Sequence, residues 1–362
     1  MTELTLEADP TTIAGYAPLK VGTICRTATD ETSLVARAFY HNGLVTHPMV
    51  VSSPDYPLKS WYPGAPVVYV NPVPSRMAQH FCNDKQTMIF FRSCDWRLVD
   101  YCRAKGIRTI LWTTYEYAPR ELPANPNVII CPTAFDQDLL SKEYPDVDVV
   151  FLPFPVDPTP YPKRERAKCF LHVVTDIDGL AQSGTFQLIE AMEHVESDLH
   201  LRIQLAASKQ LETLTRHYKN KPDLINDPRI QLVVGDPSYD LVWPEDVLIL
   251  PLTYGSFNYT ALEAYAAGMM VMVPELYSFI SDNPFGGIPF EPTIPVQSYR
   301  GHRFSPRHRP FEEARITCQE IAAVMDEWYD RDISDISETG IQWGENNDWD
   351  AHRSSYIPVI RG

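Results

Sequence analysis

Short apolar runs alternate with amphipathic stretches through the first 150 residues. Residues 18–25 (PLKVGTIC) read as a strand that ends in the polar turn 26–31. Residues 33–41 carry apolar side chains at helical spacing, and Asn42-Gly43 stops them. Residues 67–70 and 87–91 are short strands. A helix over 96–105 closes at Gly106, strands follow at 108–113 and 127–131, then a helix at 135–143 and a strand at 147–152. Strands without polar alternation, interleaved with helices, predict a parallel sheet covered on both faces.

Residues 153–163 (PFPVDPTPYPK) hold five prolines and neither period, so they read as a linker. The alternation then restarts. Strands are predicted at 169–175, 199–206, 230–234, 246–250 and 270–273, and helices at 185–194, 210–218, 259–267 and 319–329. The division expected is an N-terminal Rossmann-like domain over 1–156, a second over 157–335 and a tail over 336–362. Two doubly wound domains in tandem leave a cleft between the carboxyl ends of their strands, where ligands bind. Trp343, Trp349 and Tyr356 read as packing anchors in an otherwise polar tail.

Composition narrows the picture. At 362 residues two domains are the default, and no apolar run is long enough to span a membrane. The acidic N-terminus lacks the features of an export signal, and seven scattered cysteines without a C-x-x-C pair read as reduced thiols, so a cytoplasmic location is expected. The net charge of −16 opposes nonspecific nucleic-acid binding, but it is local: residues 312–350 hold twelve acids against two arginines. Just before them, 299–310 (YRGHRFSPRHRP) hold four arginines and two histidines and read as a loop suited to phosphates, or as a solvated face balancing the nearby acids.

The stretch 246–274 is a strand, a small polar loop, a helix and a strand. Gly255 allows close backbone approach, the helix start offers free amides to a diphosphate, and Glu263 one turn in suits a ribose diol or a solvated helix face. This stretch resembles the donor signature of retaining GT-B glycosyltransferases of the family 4 type, matching at Pro251, Tyr254, Phe257, Leu262, Glu263, Ala264, Ala267 and Gly268. The resemblance implies a GT-B fold with a C-terminal helix crossing back to the first domain. It also implies transfer of a sugar from a nucleotide donor, UDP-linked, to an acceptor hydroxyl, with retention and with neither metal nor other cofactor. Glu263 would hold the ribose; Gly255, Ser256, Phe257, Asn258, Tyr259, Thr260 and Ala261 would hold diphosphate and sugar. The pattern's first glutamate falls on Gly255 and its next glycine on Ser256.

A second match covers 170–192. There Ser183, Gly184 and Thr185 stand at the family's phosphate element, and Arg26, closing the first strand, is a candidate cation or a surface residue. Two D-x-D triplets, 176–178 and 146–148, fit chance in an acidic chain better than a metal site. On the acceptor side, Thr27, Asp30, Tyr115 and Tyr117 follow strands and face the cleft. Glu116 is the candidate to orient or deprotonate the acceptor hydroxyl, or else a helix-cap or salt-bridge residue. Residues 294–299 (IPVQSY) resemble an element of stand-alone bacterial and phage enzymes. That makes a hydroxylated or hydroxymethylated base in phage double-stranded DNA the leading acceptor, with Arg300 and Arg303 on its backbone. The alternatives are a saccharide or cell-surface glycan acceptor, and a non-catalytic sugar-nucleotide binder. The oligomeric state is left open.

Overall fold

The computed structural model describes residues 19–26, 31–51, 62–69, 73–92, 95–157, 162–175, 179–235, 244–276, 293–301 and 311–362. The first half builds one parallel sheet from β1 (Val21–Arg26), β2 (His47–Val51), β3 (Val67–Val68), β4 (Thr87–Phe91), β5 (Arg108–Trp112), β6 (Val128–Cys131) and β7 (Asp148–Phe151). Their order is β3-β2-β1-β4-β5-β6-β7. Helices α1 (Glu31–His41), α2 (Ser75–Cys82), α3 (Trp96–Ala104) and α4 (Ala134–Glu143) connect them. The central strands β4 and β6 are buried along their whole length, which is why they lack polar alternation.

The second sheet, in the order β10-β9-β8-β11-β12-β13, uses β8 (Cys169–Val174), β9 (His200–Leu205), β10 (Ile230–Val234), β11 (Val247–Ile249), β12 (Met270–Pro274) and β13 (Thr293–Ile294). Helices α5 (Thr185–Ala191), α6 (Ser208–His217), α7 (Pro222–Ile225) and α8 (Tyr259–Ala266) flank it. Strand order reverses between β1 and β4 in the first sheet and between β8 and β11 in the second. Those two switch points are where a doubly wound sheet opens a crevice.

After the second sheet come a hairpin of β14 (Gln297–Gly301) and β15 (Phe311–Arg315), and helices α9 (Cys318–Trp328), α10 (Ser334–Asn346) and α11 (Trp349–Arg361). The hairpin corrects the reading of 299–310 as a loop throughout: Tyr299 and Arg300 lie on β14, opposite Glu313 and Glu312. Ladder bonds need no apolar period, so a polar run facing an acidic one still pairs. The polar tail is helical. Gly340 and Gly344 let α10 lie tightly on Tyr265 and Ala266 of α8. Helix α11 returns to the first sheet, where Thr87 and Arg108 donate to the carbonyls of Ile360 and Val359, and the Tyr356 hydroxyl donates to that of Pro153. Trp349 and Tyr356 are buried anchors, as their pattern suggested. Among the described residues no helix is long and apolar enough to cross a membrane. Elements β2 and α2 escaped the sequence pattern, because HPMVV is short and SRMAQHFC mixes its apolar positions with polar ones.

The two sheets share one apolar core. Phe154, just past β7, meets Phe257 and Tyr259 of the second half and Trp349 of α11, with ring centres 5.2 to 5.7 Å apart. Such pairs add about 0.5–1.5 kcal/mol each beyond area burial, so the halves are held together by aromatic packing.

Candidate functional site

A cleft opens at the two switch points. Its walls include Arg92 after β4, Glu116 and Tyr117 after β5, Val173–Thr175 at the end of β8, Gly179, Gln182 and Ser183 before α5, and Leu252, Tyr254, Gly255 and Phe257–Thr260 of the loop and first turn after β11. The first sheet contributes the charged groups of this lining, Arg92 and Glu116, and the second contributes small residues, aromatics and a helix start.

The loop after β11 takes its shape from Gly255, whose φ is +144°, a region only glycine occupies readily. This accounts for the motif departure: a glutamate at 255 could not adopt this backbone. Ser256 then points away from the cleft into the first domain. Phe257 packs edge-on against Trp112 with centroids 5.5 Å apart. Asn258 caps α8, its side chain accepting from the Ala261 amide at 2.9 Å. The Ala261 amide expected to hold diphosphate is thus already engaged, while Tyr259 and Thr260 line the cleft.

Glu116 is buried at the cleft edge, in a single 3-10 turn (Tyr115–Tyr117). Ser256 Oγ lies 2.9 Å from Glu116 Oε2 and 2.7 Å from Asp136 Oδ1, and the Ser256 amide donates to Glu116 Oε1 at 3.3 Å. Asp136, fully buried in the first turn of α4, also accepts from the Tyr115 amide and the Thr133 hydroxyl. Burial, then the neighbouring Glu116 charge, push its carboxyl up to about 7. Asp136 was missed in the sequence because Thr133-x-x-Asp136 reads as an ordinary helix cap.

The element before α5 is closed rather than open. The amides of Ser183, Gly184 and Thr185 donate to the carbonyls of Gly179, Ala181 and Leu180, so they do not form the expected phosphate cradle. Gly184 has φ +70°, and a Cβ there would collide with the Pro251 carbonyl, which fixes how closely α5 approaches β11. The Thr185 side chain faces inward. His172 Nδ1 donates to the Ile249 carbonyl at 2.9 Å, so its Nε2 accepts from the Thr185 hydroxyl, also at 2.9 Å. Thr185 in turn lies 2.8 Å from Ser183 Oγ. Burial lowers His172 to about 4, which keeps it neutral. The pair supports the loop from beneath, while Ser183 remains on the cleft wall.

Glu263 lies one turn into α8, outside the residues lining the cleft. Burial pushes its carboxyl up to about 8 against a hydrogen bond with Tyr259; Asp157 adds to the rise and Arg37 opposes it. Tyr115 turns away from the cleft, its ring against Phe135, because its amide is tied to Asp136. Tyr117 is on the wall. Thr27, Asp30 and Arg303 lie outside the described residues, as do the side chains of Arg26 and Arg300 and the triplet 176–178. The other triplet, 146–148, sits at the amino end of β7, the edge opposite the cleft. Among the described residues no cluster of His, Cys, Asp or Glu could hold a metal ion.

The sequence offered Arg26 as a candidate cation or a surface residue and did not single out Arg92. Arg92 has φ +54°, a left-handed conformation that costs a non-glycine residue about 1 kcal/mol or more. Its guanidinium stands 4.1 Å from the centre of the Tyr117 ring, on the cleft wall. A residue after a strand carries no sequence mark of its φ, so nothing short of the fold reveals it.

No protein-family model matches the chain, and no curated protein matches its sequence. Solved structures do match its fold. A glycosyltransferase from Rickettsia africae superposes with a TM-score of 0.64 at 12% identity, over 96% of this chain and 98% of that one. The Alr3699/HepE protein of Anabaena, in complex with UDP and glucose, gives 0.62 at 9% identity, over 94% and 99%. An alpha-glucosyltransferase in complex with UDP gives 0.52 at 11% identity, over 95% and 100%. With two parallel Rossmann-like sheets and a helix returning from the second to the first, the chain has the GT-B fold of glycosyltransferases.

Proposed function

We propose that this protein transfers a sugar from a nucleoside-diphosphate donor, UDP-linked, to an acceptor hydroxyl with retention. The observation that carries this reading is the cleft at both switch points, lined by Arg92 from one sheet and by the Tyr259–Thr260 helix start from the other. A diphosphate between them meets a guanidinium and two amides at a positive helix end. The bond from the anomeric carbon to the diphosphate oxygen breaks, a bond to the acceptor oxygen forms, the acceptor's hydroxyl proton passes to the departing phosphate oxygen, and the charge gathering on that phosphate is met by those groups. Glu116, on the first-domain wall, orients the acceptor hydroxyl. Glu263, behind the cleft wall and hydrogen-bonded to Tyr259, is the candidate for the ribose hydroxyls on the resemblance to the donor signature. The fold's likeness to proteins solved with UDP supports the choice of nucleotide.

For the acceptor we propose a hydroxylated or hydroxymethylated base in DNA, on the resemblance of 294–299 to an element of phage enzymes and on the arginines of 299–310, with a saccharide or cell-surface glycan as the competing class. A second reading, a sugar-nucleotide binder without catalysis, is favoured by Gly255 at the carboxylate position and by the closed loop before α5. Purified protein is offered a panel of nucleotide sugars with hydroxymethylated duplex DNA and with simple glycans, and products are read by mass spectrometry. Mass gain on one acceptor class establishes transfer and names the class. Nucleotide binding with neither hydrolysis nor transfer favours the second reading. Absence of binding to any nucleotide sugar overturns both.

A further inference from the structure

Ser256 has one hydroxyl hydrogen, yet its oxygen lies within hydrogen-bond distance of two carboxyl groups, both supplied by the other half of the molecule. If Glu116 and Asp136 were both ionised, the hydrogen could serve one. The other carboxylate would then face a serine lone pair at under 3 Å in a buried site, beside a second negative charge. One additional proton resolves every contact: one carboxyl donates to Ser256 Oγ, and Ser256 donates onward to the other. The remaining acceptors are already matched. Glu116 Oε1 takes the Ser256 amide, and Asp136 takes the Tyr115 amide and the Thr133 hydroxyl.

We propose that Asp136 is a positioning residue: it shares a single proton with Glu116 through Ser256, and that shared proton fastens the donor-side loop 253–258 to the first domain. The fastening sets where Gly255 and Phe257 stand in the cleft and holds the Glu116 carboxyl at its edge. The proposal deepens the glycosyl-transfer reading by giving its cleft a pH-dependent clasp, but the contacts themselves do not depend on the donor's identity.

Among the described residues, these groups face the pair. Cys131 on β6 lies near Asp136, its thiol pushed far up by burial and then by the Asp136 charge. Tyr115 offers its amide. Arg92 and Tyr117 share the cleft wall with Glu116, and the second domain brings Tyr254 and Tyr259 to that wall. Burial and the Glu116 charge both raise Asp136 toward neutrality, so loss of the shared proton falls within an accessible range.

The test is amide hydrogen exchange of the full chain, without nucleotide, across about pH 5 to about pH 9, corrected for intrinsic rates. In the wild type, peptides covering 253–258 are expected to lose protection by about tenfold or more as pH rises past neutrality, while the strands of both sheets keep theirs. Glu116→Gln keeps the chain of donors with one charge removed: its amide nitrogen donates to Ser256 Oγ, which donates to Asp136. It is expected to stay protected over the whole range. Ser256→Ala is expected to lack the protection at every pH. Wild-type protection that does not change with pH, or a Glu116→Gln loop that opens at the wild-type pH, overturns the proposal. Because no nucleotide is present, these outcomes separate from failure of the glycosyl-transfer reading, which the donor panel tests.

Discussion

The guanidinium of Arg92 lies over the ring of Tyr117, 4.1 Å from its centre, while the Arg92 backbone holds φ at +54°. A strained residue presenting a charge at a cleft is a reason to expect function to be bought with stability. Arg92→Gly is therefore expected to raise thermal stability by up to about 1 kcal/mol and to weaken UDP binding by about tenfold or more. Arg92→Lys should keep the strain but lose the flat face over Tyr117, and bind with intermediate affinity. Thermal melts with UDP titration calorimetry on the same variants check both halves.

Restoring the motif glutamate should not help. Gly255 sits at φ +144°, so Gly255→Glu is expected to force the loop to move, break the Ser256 contacts with Glu116, and destabilise by about 1–3 kcal/mol. Donor turnover should fall rather than rise. A gain in turnover would show that the loop tolerates the carboxylate and that its present shape is incidental. Gly184→Ala tests the neighbouring constraint, since its new methyl group meets the Pro251 carbonyl; a loss of about 2 kcal/mol or more is expected by denaturant unfolding.

The central strands of both sheets were legible, because buried parallel strands such as TMIFF and VIIC are continuous apolar runs, whereas the outer strands β2 and β13 are too short or too mixed to stand out. The site was legible only where a loop and its helix are contiguous, as in 253–260. Ser256 and Glu116 are 140 residues apart in sequence, and the bond between them exists only because the two switch points face each other. Asp136 lies in the first turn of α4 and Arg92 just after β4, and neither place marks a role in the sequence. Their roles come from φ and from tertiary approach, neither of which a side-chain pattern encodes.

The returning helix α11 should be required for the first domain. Tyr356 buries its ring against Phe39, with centroids 5.3 Å apart, and its hydroxyl donates to the Pro153 carbonyl. Tyr356→Phe loses one hydrogen bond, about 1 kcal/mol, and Tyr356→Ala about 3–5 kcal/mol through the cavity left behind. Comparing the two by chemical denaturation separates bond from packing. Equal losses would mean that the ring contributes nothing.

His172 makes a distinct prediction about acid. Burial lowers its folded pKa to about 4, whereas the unfolded imidazole titrates near 6.5. Above pH 6.5 neither state is protonated and the stabilisation from the neutral ring is fully present. As pH falls from about 6.5 toward about 4 the unfolded chain takes up a proton that the folded chain refuses, so stability declines, by on the order of 3 kcal/mol in all. Asp136 and Glu263 act in the opposite sense. Burial raises them to about 7 and about 8, so their stabilisation is present in acid and is lost as pH rises through those values. The whole protein therefore shows a blunted profile, and the histidine is isolated only by difference. His172→Asn should remove the acid-side decline while leaving the alkaline side unchanged. Its closer cost is to the loop before α5: with the ring gone, Thr185 loses its acceptor, and exchange of amides 183–185 should quicken even at neutral pH. Unfolding free energies of both proteins, measured at intervals from about pH 4 to about pH 9, decide the matter. Parallel curves below pH 6.5 would show that His172 is protonated in the folded chain as well; Nδ1 would still donate to the Ile249 carbonyl, and only the bond to Thr185 would reverse, with Nε2 donating to the hydroxyl.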